Sequence, residues 1–297
     1  MPGIVLIYKK TFLESQEKDE LHNKLRVAAP ELWEEILLSH EAHLRSVERF
    51  YKVLELLNIP YAAYERSEEA VDLENSELVV TLGGDGTFIH ASHYLRSTPL
   101  LGLNSAPGFS VGHYCFPFPQ REETLIEILR LFFEGRLAKK KYPRLAVVHN
   151  GKTLDYPVIN DILIAESYPA ATSRYLLSYQ GRREVQKSSG LWISTPSGVG
   201  AGYGSAGGLP FSPGGYICGF VVREPYVQNN YRLRNSIITE DELSSFQVVS
   251  AMSQGRFFLD GSHLVFPFPA GDVLTFKRHP HDLISLDFTP FLRQQGS

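Results

Sequence analysis

The chain has 297 residues, 43% hydrophobic and 21% charged, which is the composition of a folded globular protein long enough for one large domain or two ordinary ones. A net charge of −4 with a pI near 6.2 gives no basic footprint for nucleic acid, and no run of about 18 apolar residues offers a membrane span. Two cysteines, Cys115 and Cys218, make no disulfide framework, so a reducing compartment and a cytoplasmic location are expected.

The first residues, "GIVLIYKK", are apolar and β-branched and read as an opening strand, not as a signal peptide. A charged, helix-forming stretch follows. From Pro30 to Asn58, apolar residues recur at Leu32, Ile36, Leu44, Val47, Tyr51, Leu54 and Leu57, one stripe of an amphipathic helix. The Ile59-Pro60 step ends it, since proline disfavours helical geometry in the residue before it. "YAAYE", "ELVVTLG" and "PLLGLN" read as short strands, and "REETLIEILRLFFEG" as a helix stopped by Gly135. Strands alternating with helices predict a Rossmann-like parallel sheet with helices on its faces over residues 1–140. Lys139, Lys140 and Lys141 close that half as a solvated linker.

Beyond them the pattern changes. Asn150-Gly151 and Gln180-Gly181 each separate two apolar runs, which is a hairpin signal. "GLWIST", "GFVVRE", "RFFLDG" and "HLVFPF" read as further strands, with no amphipathic helix between them. An all-β domain, a sandwich, is expected over 141–272. The segment 273–297 closes that domain or returns to pack on the first. The ten histidines show no Cys/His ligand spacing; His40 with His43, and His90 with His93, stand at helical i,i+3 intervals without a third ligand nearby. No protein-held metal site is therefore expected.

The chemistry concentrates in "ELVVTLGGDGTFIHAS", Glu77 to Ser92. A strand running into Gly83-Gly84-Asp85-Gly86-Thr87 and then a helix has the parts of an anion site. Glycines let backbone N–H groups approach a phosphate, and the helix N-terminus favours negative charge. No lysine follows in the Walker A position. Asp85 would repel a phosphate unless it takes a proton from an attacking hydroxyl or helps to hold a bridging metal ion. An ordinary glycine-rich turn that happens to carry an aspartate is the alternative.

"GGDGT" is similar to the signature shared by NAD kinases, diacylglycerol kinases, sphingosine kinases and, with serine last, phosphofructokinases. "NDILIAES" from Asn160, the glycine-rich "SSGLWISTPSGVGAGYGSAGG" from Ser188 to Gly208 and "FFLDG" ending at Asp260-Gly261 resemble, in order, the later motifs of the NAD kinase family. "KSSGL", "VREP" and "GHYC" resemble its mitochondrial NAD kinase and plant NADH kinase branch. The resemblance implies transfer of the ATP γ-phosphoryl group to the adenosine-ribose 2′-hydroxyl of NAD or NADH, with Mg²⁺ on the phosphates. It implies that Asp85 deprotonates or orients that hydroxyl and that Gly83, Gly84, Gly86 and Thr87 contact phosphate. By the same token Asn160 and Asp161 grip the dinucleotide, Phe116 lies near the adenine, and Ser197, Ala201, Ser205 and Asp260 line the dinucleotide site. A homodimer or homotetramer is implied as well. Two departures stand out: Ser189 where relatives carry Asp, and Gly198-Val199-Gly200-Ala201-Gly202 where they carry Gly-Ser-Thr-Ala-Tyr. A lipid kinase sharing the GGDGT turn, or a non-catalytic dinucleotide sensor, are the competing functions.

Overall fold

The computed structural model describes residues 3–14, 19–66, 73–110 and 112–289. The chain divides into two compact units, Met1–Lys141 with Ile284–Ser297, and Tyr142–Leu283.

The first unit runs β1 (Ile4–Tyr8), α1 (Asp19–Ala28), α2 (Pro30–Leu56), β2 (Tyr61–Glu65), β3 (Leu78–Gly83), α3 (Asp85–Ser92), β4 (Leu100–Asn104), β5 (Phe116–Pro117), α4 (Glu122–Phe133) and β6 (Ala138–Tyr142). β1 pairs in parallel with β2 and β3, and β4 pairs in parallel with β3 and β5. Every residue of β3 and β4 is buried, as expected for central strands covered on both faces. α4 ends in a Schellman turn: Gly135 takes φ +68°, Arg136 N–H donates to Leu131 O and Gly135 N–H to Phe132 O. α2 ends the same way one step before the proline, with Asn58 at φ +52° and Ile59 N–H on Leu54 O.

Two expectations need correction here. The buried row of α2 is His43, Ser46, Phe50, Val53 and Leu54, while Leu32 and Leu44 are exposed. The row steps by three and four residues from His43, so Leu44 falls one position off it. Lys139–Lys141 are no linker but the exposed side of β6, a terminal strand of the sheet, where charged side chains discourage pairing with another edge.

The second unit is built from β7 (Leu145–His149), β8 (Lys152–Thr153), β9 (Asp161–Glu166), β10 (Ser173–Tyr179), β11 (Arg182–Ser188), β12 (Gly190–Ser194), the short α5 (Gly202–Ser205), β13 (Tyr216–Arg223), β14 (Asn235–Thr239), β15 (Gln247–Ser250), β16 (Gly255–Leu259), β17 (Leu264–Pro267) and β18 (Val273–Arg278). They form two six-stranded sheets, β11-β10-β15-β18-β7-β8 and β14-β13-β12-β9-β16-β17. One buried cluster joins them, with Val147, Tyr175 and Phe276 from the first sheet and Ile164, Leu191 and Phe257 from the second. Asn150-Gly151 and Gln180-Gly181 turn their hairpins with both residues at positive φ, as type I′ turns require.

The segment after 272 is divided between the units. β18 pairs with β7 and β15 and buries Leu274 and Phe276 in the second unit's core, worth roughly 1.5–3 kcal/mol each. The last strand, β19 (Leu283–Asp287), lies between β4 and β6 in the first unit's sheet, Ser285 opposite Leu100. Residues 290–297 of that segment lie outside the described residues.

Candidate functional site

In the first unit the site grows from the carboxyl end of β3. Gly83 is buried, and a side chain there would run into the Thr87 hydroxyl, which folds back over it. Gly84 caps α3, its carbonyl accepting from Thr87 N–H at 2.9 Å, and Gly86 is exposed. Thr87 is buried beneath this turn. The turn therefore presents backbone, with the Thr87 hydroxyl packed beneath it, in the place where an α/β sheet receives ligands.

Asp85 opens α3, half-buried. Its Oδ2 accepts from His113 N–H at 2.7 Å, and its Oδ1 from Tyr114 N–H at 2.9 Å and Cys115 N–H at 3.3 Å. One carboxylate thus gathers three successive amides of the segment leading into β5. Burial first, then the Asp85 carboxylate, push the Cys115 thiol well above its ordinary range, so it stays protonated and unreactive. Phe116 on β5 has its ring 4.4 Å from that of Phe288 and packs against the first unit's core.

Five residues around this turn, Ser105, His43, Asn104, Lys9 and Arg66, were not read as site residues from the sequence. Ser105 N–H donates to Gly83 O, and its hydroxyl is 2.8 Å from His43 Nδ1. Burial, followed by the charge of Lys9, holds His43 down to about 4, so it is neutral at physiological pH. Buried Asn104 folds the loop after β4 through Ser110 and Ala106. Lys9 and Arg66, at the ends of β1 and β2, flank the glycine turn. None of these carries a local motif; only the sheet order brings them to the turn.

In the second unit the site is organised by Asp260, in the turn after β16. Its φ of +53° is left-handed and its carboxylate is buried. Oδ2 accepts from Ile159 N–H at 2.9 Å, and Oδ1 from Asn160 N–H at 2.7 Å and Asp161 N–H at 2.9 Å. Burial pushes Asp260 up to about 7 despite these donors, and the nearby Asp161 carboxylate adds to the rise. Asp161 opens β9 and is itself buried, which pushes it up to about 6 against the pull of Gly202 N–H.

The glycine-rich loop closes on this segment. Thr195 N–H donates to Asn160 O at 3.0 Å, and the Thr195 hydroxyl bonds Ile159 O. A side chain on Gly198 would collide with the Asn160 carbonyl, so only glycine fits that approach. Ala201 N–H reaches back to Gly198 O at 2.9 Å. Asn160, Asp161, Ser197 and Ala201 are thus gathered into one structure, whereas Ser205 is exposed at the end of α5. Tyr203 turns inward: it is fully buried, its hydroxyl donates to Leu209 O at 2.9 Å, and Gly208 and Gly219 leave room for its ring. It is a core residue and does not replace the tyrosine missing from the loop. Arg223 lies over the Trp192 ring at 5.9 Å.

A parallel sheet whose strand β3 ends in the Gly83–Thr87 turn, followed in the chain by a unit of two antiparallel sheets, is a fold also found in solved kinases. Two solved structures share it: an NAD kinase from Archaeoglobus fulgidus in complex with ATP (TM-score 0.66, 18% identity, 98% of this chain and 96% of that one) and yeast NADH kinase complexed with NADH (TM-score 0.64, 18% identity, 98% and 86%). In sequence, the chain is 28% identical to a rice protein named "Probable NADH kinase" over 276 residues, 84% of this chain and 83% of the relative. It is 27% identical to the NADH kinase of Arabidopsis thaliana over 79% and 80%, and 25% identical to the NAD kinase of Chlorobium limicola over 88% of each. No protein-family profile matches it. In sequence the chain is thus similar to NAD kinases and NADH kinases, and in fold to solved members of both.

Proposed function

We propose that this protein is an NAD(H) kinase that phosphorylates the adenosine-ribose 2′-hydroxyl of NAD or NADH with ATP, giving NADP or NADPH and ADP. The observation that carries the reading is Asp85, a carboxylate set by α3 and three backbone amides in an otherwise phosphate-receptive turn. In the transfer the 2′-oxygen bonds to the γ-phosphorus and the bond from that phosphorus to the β–γ bridging oxygen breaks. The hydroxyl proton passes to Asp85, or is directed away by it. Gly83, Gly84, Gly86 and Thr87 receive phosphate oxygens, while Asn160 and Asp161 hold adenine and ribose partners, with Ser197 and Ala201 beside them. Phosphoryl transfer asks a protein for this positioning and charge stabilisation above all.

Among the described residues no three His, Cys, Asp or Glu side chains cluster as a metal cage. A Mg²⁺ ion on the triphosphate would neutralise phosphate charge, and Asp85 is the carboxylate of the turn that would help to hold it. A homodimer or homotetramer and a cytoplasmic site of action complete the reading, the latter supported by two free, buried thiols. No helix among the described residues is long and apolar enough to cross a membrane.

Purified protein with ATP, Mg²⁺ and either NAD or NADH is expected to form NADP or NADPH. Binding of the dinucleotide without product would instead favour a sensor, the outcome to which the altered Gly198–Gly202 run points. Phosphorylation of a diacylglycerol or sphingoid base, with no dinucleotide turnover, would favour a lipid kinase.

Asp161 supplies a pH signature. Its carboxylate makes a charge-assisted bond to a ribose hydroxyl only when ionised, so KM for NAD should rise below about pH 6, by up to about tenfold per pH unit, with KM for ATP flat. Folding runs the other way. The raised value means that this group's stabilising contribution is present below 3.8 and lost as pH rises through about 6. A KM for NAD constant from pH 5 to 8 would remove Asp161 from the grip.

A further inference from the structure

Three parallel strands, β2, β1 and β3, lie side by side, and each delivers a different group at its carboxyl end. β3 delivers the glycine turn. Lys9 follows β1, its N–H donating to Leu82 O at 3.0 Å, and Arg66 follows β2, its N–H donating to Tyr8 O at 2.8 Å. Backbone bonds therefore fix both cations in register with the turn.

The side chains follow suit. A methyl built on Gly86 would stand 3.2 Å from Arg66 Nη1, so the guanidinium lies directly over the exposed glycine of the turn. The Lys9 stem packs at 3.4 Å from the corresponding point on Gly83, at the other end. Burial lowers both groups from their ordinary values. Half-buried cations usually recover that cost from a carboxylate. Among the described residues neither Arg66 nor Lys9 has an ion pair, although neighbouring Lys10 pairs with Glu65 at 3.3 Å. Glu14, whose field reaches Lys9, is committed to the Thr11 N–H and hydroxyl at 2.8 and 2.7 Å.

A half-buried guanidinium over a glycine turn, with the stem of Lys9 beginning on its other flank, calls for a multiply charged anion. We propose that Arg66, with Lys9 as the second cation, clamps the phosphate chain of the nucleotide donor over Gly83–Thr87. The clamp rests on the kinase reading of that turn and names the residues that neutralise its ligand. A planar guanidinium offers two parallel N–H donors to phosphate oxygens; an ammonium offers charge without the fork. The dinucleotide's pyrophosphate has the same chemistry, so the test must separate the two sources.

Arg66→Gln is expected to raise KM for ATP by roughly 10- to 100-fold, the scale of a lost charge-assisted contact, with KM for the dinucleotide within about twofold of wild type. Arg66→Lys should recover part of the loss, which also guards against a misfolded variant. Inorganic tripolyphosphate should raise the melting temperature of wild type but not of Arg66→Gln, a readout independent of turnover. An active Arg66→Gln enzyme with unchanged KM for ATP overturns the clamp and leaves the kinase reading standing. A rise in KM for the dinucleotide alone also overturns it, handing Arg66 to the pyrophosphate. A wild type that turns over neither dinucleotide, yet is stabilised by tripolyphosphate through Arg66, retains the clamp and removes the kinase reading.

Discussion

Asp85→Asn should lower turnover by about 10²-fold or more while NAD still binds, because an amide can neither accept the hydroxyl proton nor offer a negative charge to orient it. The geometry adds a second expectation. The asparagine oxygen can keep the bonds from Tyr114 and Cys115, but its NH₂ would then face the His113 N–H at the Oδ2 position. Losing that bond should cost about 1–3 kcal/mol in the first unit. Turnover and thermal melting should be measured on the same preparation. A variant that melts lower but turns over normally would make Asp85 a loop anchor and nothing more. One that melts normally and is inactive would isolate the chemical role.

The largest loss of stability should come from Asp260→Ala. It strands two buried N–H donors, on Ile159 and Asp161, and a partly buried one on Asn160, each buried unsatisfied donor costing about 1–3 kcal/mol. Removing a carboxylate that burial already disfavours returns part of this, so a net loss of roughly 3–5 kcal/mol is expected from the midpoint of urea unfolding. Asp260→Asn keeps an acceptor for two donors and should be milder. Its mark should be kinetic: KM for the dinucleotide rises while kcat changes little, since the residue shapes the grip and touches no reacting atom. Equal effects on kcat and both KM values would point to general unfolding instead.

Much of this was legible in the residues alone. The hairpins at Asn150 and Gln180, the helix stop at Gly135 and the change from alternating α/β to all-β near Lys141 are local signals, written in turn chemistry and periodicity. Asp85 stood out because an acidic residue in an anion turn is a local contradiction. What escaped was non-local. Arg66 and Lys9 reach the turn only through strand order, and Asp260 reaches Asn160 across about 100 residues of chain. Tyr203, one place away from the tyrosine it might have replaced, is buried because Gly208 and Gly219 vacate the space for it, which a linear spacing cannot show. The exposed leucines of α2 mark the same limit: a seven-residue stripe was visible, but not which of two adjacent rows the sheet would cover.

The return of β19 to lie between β4 and β6 has a consequence for biosynthesis. During translation the first unit's sheet lacks an inner strand until nearly 290 residues have been made, so β6 waits unpaired and β4, already held by β3 and β5, lacks its β19 neighbour while the whole second unit is synthesised and can fold. The lysines of β6 hold a charged guard on that temporary edge against pairing with other chains. The glycine turn, for which we propose phosphate binding, follows β3, next to β4, so its scaffold is completed last. Premature termination before Leu283 would then leave a nascent chain with the Asn160–Asp161 segment in a finished unit and the Gly83–Thr87 turn on an unfinished sheet.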